Sequence, residues 1–139
     1  MRIMAFDYGT KRIGVAVTDP MRIIASALTT EHPERIFAYL ESYLQREPVS
    51  TFVVGMPRQM DGRDSQSAQH VIGFVRQLRK KFPAVETVTI DERFTSKMAT
   101  RAIAQSGLRK TQRQRKSLVD EVSATIILQS YLEQRELSG

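Results

Sequence analysis

The chain has 139 residues, 41% of them apolar, a formal net charge of +6 and no cysteine. Such a length buries one ordinary core and is too short for two, which weighs against a ligand clamp built between two related domains, and residues 1–139 are expected to form a single domain. Without cysteine there is no disulfide, no thiolate metal site and no cysteine nucleophile, which suits a reducing cytoplasm.

The first residues read as a strand rather than as a charged region leading into a long apolar run, so no signal peptide is expected. No stretch approaches transmembrane length, and a soluble intracellular protein without membrane partners is expected. In Ile3-Met4-Ala5-Phe6-Asp7 side chains alternate with period two, which puts Asp7 on the same face as the apolar Ile3 and Ala5. An acid is out of place there. Gly9 follows, and Ile13 to Thr18 reads as a strand returning antiparallel, so the segment is a hairpin with Asp7 at its rim. A turn-forming aspartate that accepts backbone N–H groups is the plain explanation, and a metal-binding or catalytic carboxylate is the competing one.

Arg22 to Leu28 is the expected third strand of an antiparallel meander. Pro33 suits the first turn of a helix, and Ile36, Phe37, Leu40 and Leu44 recur at helical spacing, predicting a helix over 33–46 that Pro48 ends. Thr51 to Gly55 is a short apolar run of the kind buried on both faces of a parallel sheet and is placed centrally. Met56 to Ser67 reads as a loop, and Ala68, Val71, Ile72, Val75 and Leu78 space a second amphipathic helix ending near Pro83. His70 lies off its apolar stripe and, with only His32 as company, is given no role.

Val85 to Ile90 is the fifth expected strand, and it runs directly into Asp91-Glu92-Arg93, a second acidic site at a strand's carboxyl end, where open α/β sheets gather ligands. A helix capped by Thr95 or Ser96 and stopped at Gly107 should follow. Between Arg93 and Val119 there are eight Lys or Arg and no Asp or Glu, while the rest of the chain holds thirteen basic and fifteen acidic residues. The whole positive excess therefore sits in one segment, the footprint of a polyanion ligand such as nucleic acid, although a solvated charged loop looks the same in sequence. A last helix is expected from Ser117, with Ser-x-x-Asp as a capping-box-like start that gives Asp120 an innocent role. Yet Ser123, Ala124, Ile127, Leu128 and Tyr131 fall on the stripe below Asp120, which points that acid toward the interior. Glu121 points away beside Thr125 and Gln129.

If Asp7, Glu92 and Asp120 meet at one sheet edge, their mutual repulsion of roughly 4 kcal/mol per pair at 4 Å requires cations. Oxygen ligands alone select hard ions, Mg²⁺ or Mn²⁺ rather than zinc, and two such ions suit in-line phosphodiester displacement. The motifs DYGTKRIGVAVTD, VVGMPRQMDG, DERFTS and K-x-x-x-D-x-x-S-A-x-x-I-L together resemble the YqgF/RuvX family of pre-16S rRNA nucleases and Holliday junction resolvase-like proteins, over nearly the whole chain and in order. That resemblance implies an α/β, RNase H-like fold: a mixed five-stranded sheet, with the antiparallel meander plus two parallel strands, flanked by helices. It implies a nuclease hydrolysing phosphodiester bonds, with Asp7, Glu92 and Asp120 as catalytic metal ligands and 5′-end maturation of ribosomal RNA as its task. Gly9, Lys11, Arg12 and Arg93 would contact the nucleic-acid backbone, joined by Arg109, Lys110, Arg113, Arg115 and Lys116 of the basic segment. Ser123 stands where the family more often has alanine. RNA is the expected partner and structured DNA the alternative, with the protein a monomer or weak dimer. Two competing readings stand beside it: Asp-x-Gly-Thr resembles the phosphate-binding hairpin of actin-like ATPases, which needs a second domain, and a regulator with this fold would bind nucleic acid without cutting it.

Overall fold

The structure, a computed structural model, describes residues 1–57, 66–91 and 116–138, without the side chains of 66–67, 116–121 and 136–138. Five strands, β1 (Arg2–Tyr8), β2 (Ile13–Thr18), β3 (Ala25–Glu31), β4 (Val49–Met56) and β5 (Glu86–Asp91), form one sheet in the order β3-β2-β1-β4-β5. β2 pairs antiparallel with β1 and β3, whereas β4 runs parallel to both β1 and β5. This is the mixed five-stranded sheet expected. Helices α1 (Ile36–Arg46), α2 (Gln66–Lys81) and α3 (Lys116–Ser138) complete the described elements.

Alternation along β1 divides the core. Met4 and Phe6 face a cluster with Ile36, Leu40, Phe74 and Leu78 of α1 and α2, while Ile3 and Ala5 face Ala124, Ile127 and Leu128 of α3. Phe6 centres the first layer, its ring edge-on to Phe52 at 5.4 Å and to Phe74 at 5.5 Å. Such pairs add about 0.5–1.5 kcal/mol each beyond area burial. At the start of β1 the ladder with β2 begins only at Met4, and the buried Thr18 hydroxyl accepts the Ile3 N–H at 2.9 Å instead.

Several boundaries differ from the sequence expectation for local reasons. The third strand begins at Ala25 rather than Arg22, because the Asp19 carboxylate gathers the N–H groups of Met21, Ile23 and Ile24 into a turn at 3.2, 2.8 and 2.8 Å. Arg22 takes a φ of 63° there. α1 begins at Ile36, not Pro33, since the His32 carbonyl accepts the Arg35 N–H in a turn that precedes it. β4 extends through Met56 and α2 begins at Gln66, so Met56, Gln66 and Ser67 leave the expected loop. α3 has begun by Lys116, which puts Ser117 inside its first turn rather than at its cap. The helix expected after Thr95 lies outside the described residues.

Candidate active site

Because β1, β4 and β5 are parallel, their carboxyl ends share one edge of the sheet. Asp7 is the penultimate residue of β1 and is half-buried. Two residues beyond Ala5, it stands on the face that α3 covers. Its neighbours across the sheet explain how a carboxylate fits. Asp7 pairs with Gly14 on β2, and Gly55 of β4 follows the Val54 that pairs with Phe6. Gly14 lies two residues before Ala16 and Gly55 two after Val53, both members of the α3-side cluster, so both glycines stand on Asp7's face. Gly55 in turn pairs with Ile90 of β5. On Asp7's face the sheet therefore carries no side chain at either cross-strand neighbour, and both glycines are themselves buried.

α3 runs along this face of the sheet toward the edge that holds Asp7. Gln129, Leu132 and Glu133 line a cleft with Ile23, Ile24 and Ala25, at the end of the sheet where Ala25 pairs with Thr18 and Thr18 holds Ile3. Residue 120 lies nine residues earlier, about 14 Å along the helix at 1.5 Å per residue. Asp7 lies four residues beyond Ile3, about 13 Å along the strand. The first turns of α3 and the end of β1 thus reach the same edge. Ala124, Ile127 and Leu128 are fully or almost fully buried against the sheet, and residue 120 is one turn ahead of Ala124 on their stripe.

The turn after Asp7 is tight. A Cβ on Gly9 would lie 2.7 Å from the Arg12 carbonyl oxygen, so the chain there admits only glycine without moving. Lys11 is exposed and Arg12 half-buried in the same turn. Glu92 directly follows the last residue of β5 in sequence but, with Arg93, Arg109, Lys110, Arg113 and Arg115, lies outside the described residues; Lys116 is the first residue of α3. Among the described residues no group of three His, Asp or Glu gathers in a way that holds a metal ion. Hydrogen bonds to the Ile24 and Ile23 N–H groups, in that order, lower the Asp19 carboxyl below its usual range, but Asp19 lies at the opposite end of the sheet and takes no part here. His32 follows β3 at the carboxyl edge, where its Nδ1 accepts the Glu34 N–H at 3.1 Å. His70 is exposed on α2.

Gly14 and Gly55 are the residues that sequence reasoning passed over. Glycine inside a strand often marks a close approach by a ligand, and that signal was present in both.

A model of the RuvX family, described as Holliday junction resolvase, matches residues 1–134. The chain belongs to the RuvX family. Its relatives include proteins named "Putative pre-16S rRNA nuclease" from Phocaeicola vulgatus, 50% identical over 135 residues, and from Porphyromonas gingivalis, 49% identical over 132. The alignments cover 97% of both chains in the first case, and 95% of this chain and 96% of the relative in the second. Among solved structures, this RuvX chain resembles Thermus thermophilus RuvC in complex with a Holliday junction, at 19% identity and a TM-score of 0.55 over 96% of each chain. The fowlpox virus resolvase in complex with Holliday junction DNA gives 13% identity and a TM-score of 0.52, over 95% of this chain and 99% of that one. With the observed sheet order, these likenesses give the RuvX chain an RNase H-like fold.

Proposed function

We propose that this RuvX-family protein is a metal-dependent nuclease of one RNase H-like domain that hydrolyses phosphodiester bonds in the cytoplasm, with 5′-end maturation of pre-16S ribosomal RNA as its task. One observation carries the reading: a half-buried carboxylate, Asp7, stands between two glycines at the edge where three parallel strands end. The names of the relatives at about half identity supply the substrate. No described helix is long and apolar enough to cross a membrane, in keeping with the cytoplasm.

The donor chemistry fits Mg²⁺ or Mn²⁺. The chain has no thiolate, His32 has committed Nδ1 to a backbone N–H, and Asp7 offers only oxygen. Asp7, Glu92 and Asp120 are the residues that would hold the ions. Bound there, such ions supply Lewis-acid charge neutralisation for displacement at phosphorus. The chain's own groups do the rest: Gly14 and Gly55 keep side chains from crowding Asp7, and the Gly9 turn carries Lys11 and Arg12 to the backbone phosphates. Arg93, Arg109, Lys110, Arg113, Arg115 and Lys116 extend that phosphate contact along the substrate.

The test is cleavage of an end-labelled ribosomal RNA precursor with Mg²⁺, Mn²⁺ or EDTA, comparing the native protein with Asp7→Asn and Asp120→Asn. Expected is metal-dependent cutting that falls by more than about a hundredfold in each variant, beyond what loss of an outer-shell partner causes. RNA bound but uncut by the native protein with either metal would leave a non-catalytic binding protein.

The family description and the RuvC likeness favour a second reading, resolution of a four-way junction. That task calls for two sites in a symmetric dimer, whereas RNA trimming needs one. A stable dimer in sedimentation that cuts junction DNA in preference to the RNA precursor would select it.

A further inference from the structure

Single exposed apolar side chains are ordinary on a protein surface, whereas several gathered at one corner mark a contact. Among the described residues the large apolar side chains left exposed are Met1, Met21, Ile23 and Ile24, each between 63 and 74% accessible. They stand together at the end of the sheet away from Asp7. The Met1 ammonium donates to the Pro20 carbonyl at 3.4 Å, and the other three belong to the turn between β2 and β3.

That turn is ordered without help from those side chains. Asp19 accepts the N–H groups of Met21, Ile23 and Ile24 on its carboxylate and that of Arg22 on its carbonyl. Its own N–H donates to the Ile24 carbonyl at 3.2 Å. Arg22 is held at a φ of 63°, where a residue with a Cβ is strained. Polar residues would build the same turn, so the fold itself has no use for apolar side chains there.

Beside the turn is a cleft of about 420 Å³, lined by Ile23, Ile24 and Ala25 from the turn and β3 and by Gln129, Leu132 and Glu133 from α3. A rigid apolar projection and a cleft thus lie side by side. Such a surface is complementary to a copy of itself, because a two-fold axis brings the projection of each chain to the cleft of the other. Charge points to the same occupant. Arg22 is exposed on the turn and Glu133 is exposed beside the cleft. The two-fold pairs both of them, whereas a partner carrying one sign of charge would match one and repel the other. Ser26 and Ala27, exposed on β3, are small, and β3 is the outermost strand, so a second copy can approach closely there.

We propose that this corner is a homodimer contact, in which the turn from Met21 to Ile24 of each chain enters the cleft between the turn and α3 of the other, with Arg22 against Glu133 of the partner subunit. The contact lies at the end of the sheet opposite Asp7, so both candidate active edges stay open to substrate. It does not depend on the nuclease reading, and a dimer formed this way does not by itself choose between RNA and a four-way junction.

The experiment is sedimentation equilibrium of the full chain without nucleic acid, over roughly 1–200 µM, the range that resolves a micromolar dissociation constant. The native chain is compared with a variant carrying both Ile23→Ser and Ile24→Ser, with Arg22→Glu, with Glu133→Arg, and with the last two combined; melting curves check that each is folded. Expected is a native dimer within that range and a monomer for the serine variant. Each single charge reversal should raise the dissociation constant roughly tenfold, because it acts at both ends of the two-fold contact. Combining the two should restore it to within about threefold of native, a recovery that simple damage to the turn would not give. A native chain that stays monomeric throughout overturns the contact, as does a dimer indifferent to the serine substitutions. Single reversals that weaken the dimer without recovery in the combination overturn it too. So does a monomeric chain that binds anionic phospholipid vesicles through Ile23 and Ile24, which would assign the patch to a membrane surface. Since no substrate is present, a protein that failed to cut RNA would leave each of these outcomes readable.

Discussion

A half-buried carboxylate at the end of a core strand costs free energy unless its surroundings are arranged for it. At Asp7 the arrangement is subtraction: its cross-strand neighbours Gly14 and Gly55 place no side chain on its face. A series at Gly55 tests whether that space is used. Gly55→Ala and then Gly55→Val should lower cleavage progressively, reaching about a hundredfold for valine, the scale on which a misplacement near 1 Å acts. RNA affinity should hold, because the proposed phosphate contacts, Lys11, Arg12 and the basic segment, are left unchanged. Undiminished cleavage in the valine variant would show that the missing side chain is incidental. Asp7 itself was legible in the sequence, since period two puts it beside Ile3 and Ala5 whatever the strand pairs with. The glycines were not, because their meaning depends on cross-strand register, which joins residues 7, 14 and 55 only in the folded sheet.

Elements bear out the same distinction between local and distant causes. β2 falls at Ile13–Thr18 as its alternation predicts, while the apolar β4 lies inside the sheet between β1 and β5, one strand from the centre, which β1 takes. β3 is displaced because an apolar stretch, Ile23-Ile24, is taken into the turn by the Asp19 carboxylate, and a side-chain acceptor of that kind leaves no mark in hydrophobic patterning. The turn has its own pH signature. With the Asp19 pKa lowered in the folded state, the carboxylate's contribution is complete above the unfolded value near 3.9 and is lost as pH falls through the lower folded value. The Ile23 and Ile24 amide proton shifts should therefore titrate together with a midpoint below about 3.9, and Asp19→Asn should abolish the titration. A midpoint at or above that value would mean that the two hydrogen bonds do not favour the ionised form.

At the scale of the whole molecule, charge and architecture are separately encoded. The excess of eight cations between Arg93 and Val119 lies in sequence between β5 and most of α3, so a strand at the carboxyl edge leads into it and a helix returning to that edge leads out. If that segment grips the substrate, affinity for single-stranded RNA should fall steeply with salt. Replacing Arg109, Lys110, Arg113 and Arg115 together by alanine should reduce the log–log slope by about 3, at roughly 0.7 for each phosphate that is no longer neutralised. An unchanged slope would return the segment to a solvated loop. The mixed sheet itself was legible from motif order, while the meeting of β1 with α3 was legible only through the family resemblance, because it spans more than a hundred residues of chain and no local pattern encodes it.

That long reach has a consequence in time. β1 precedes α3 by more than a hundred residues, and the face bearing Ile3, Ala5 and Asp7 is covered only when Ala124, Ile127 and Leu128 arrive. A nascent chain that has not yet reached α3 carries Asp7 on an uncovered sheet, so the site proposed around that carboxylate is assembled only after α3 has been made.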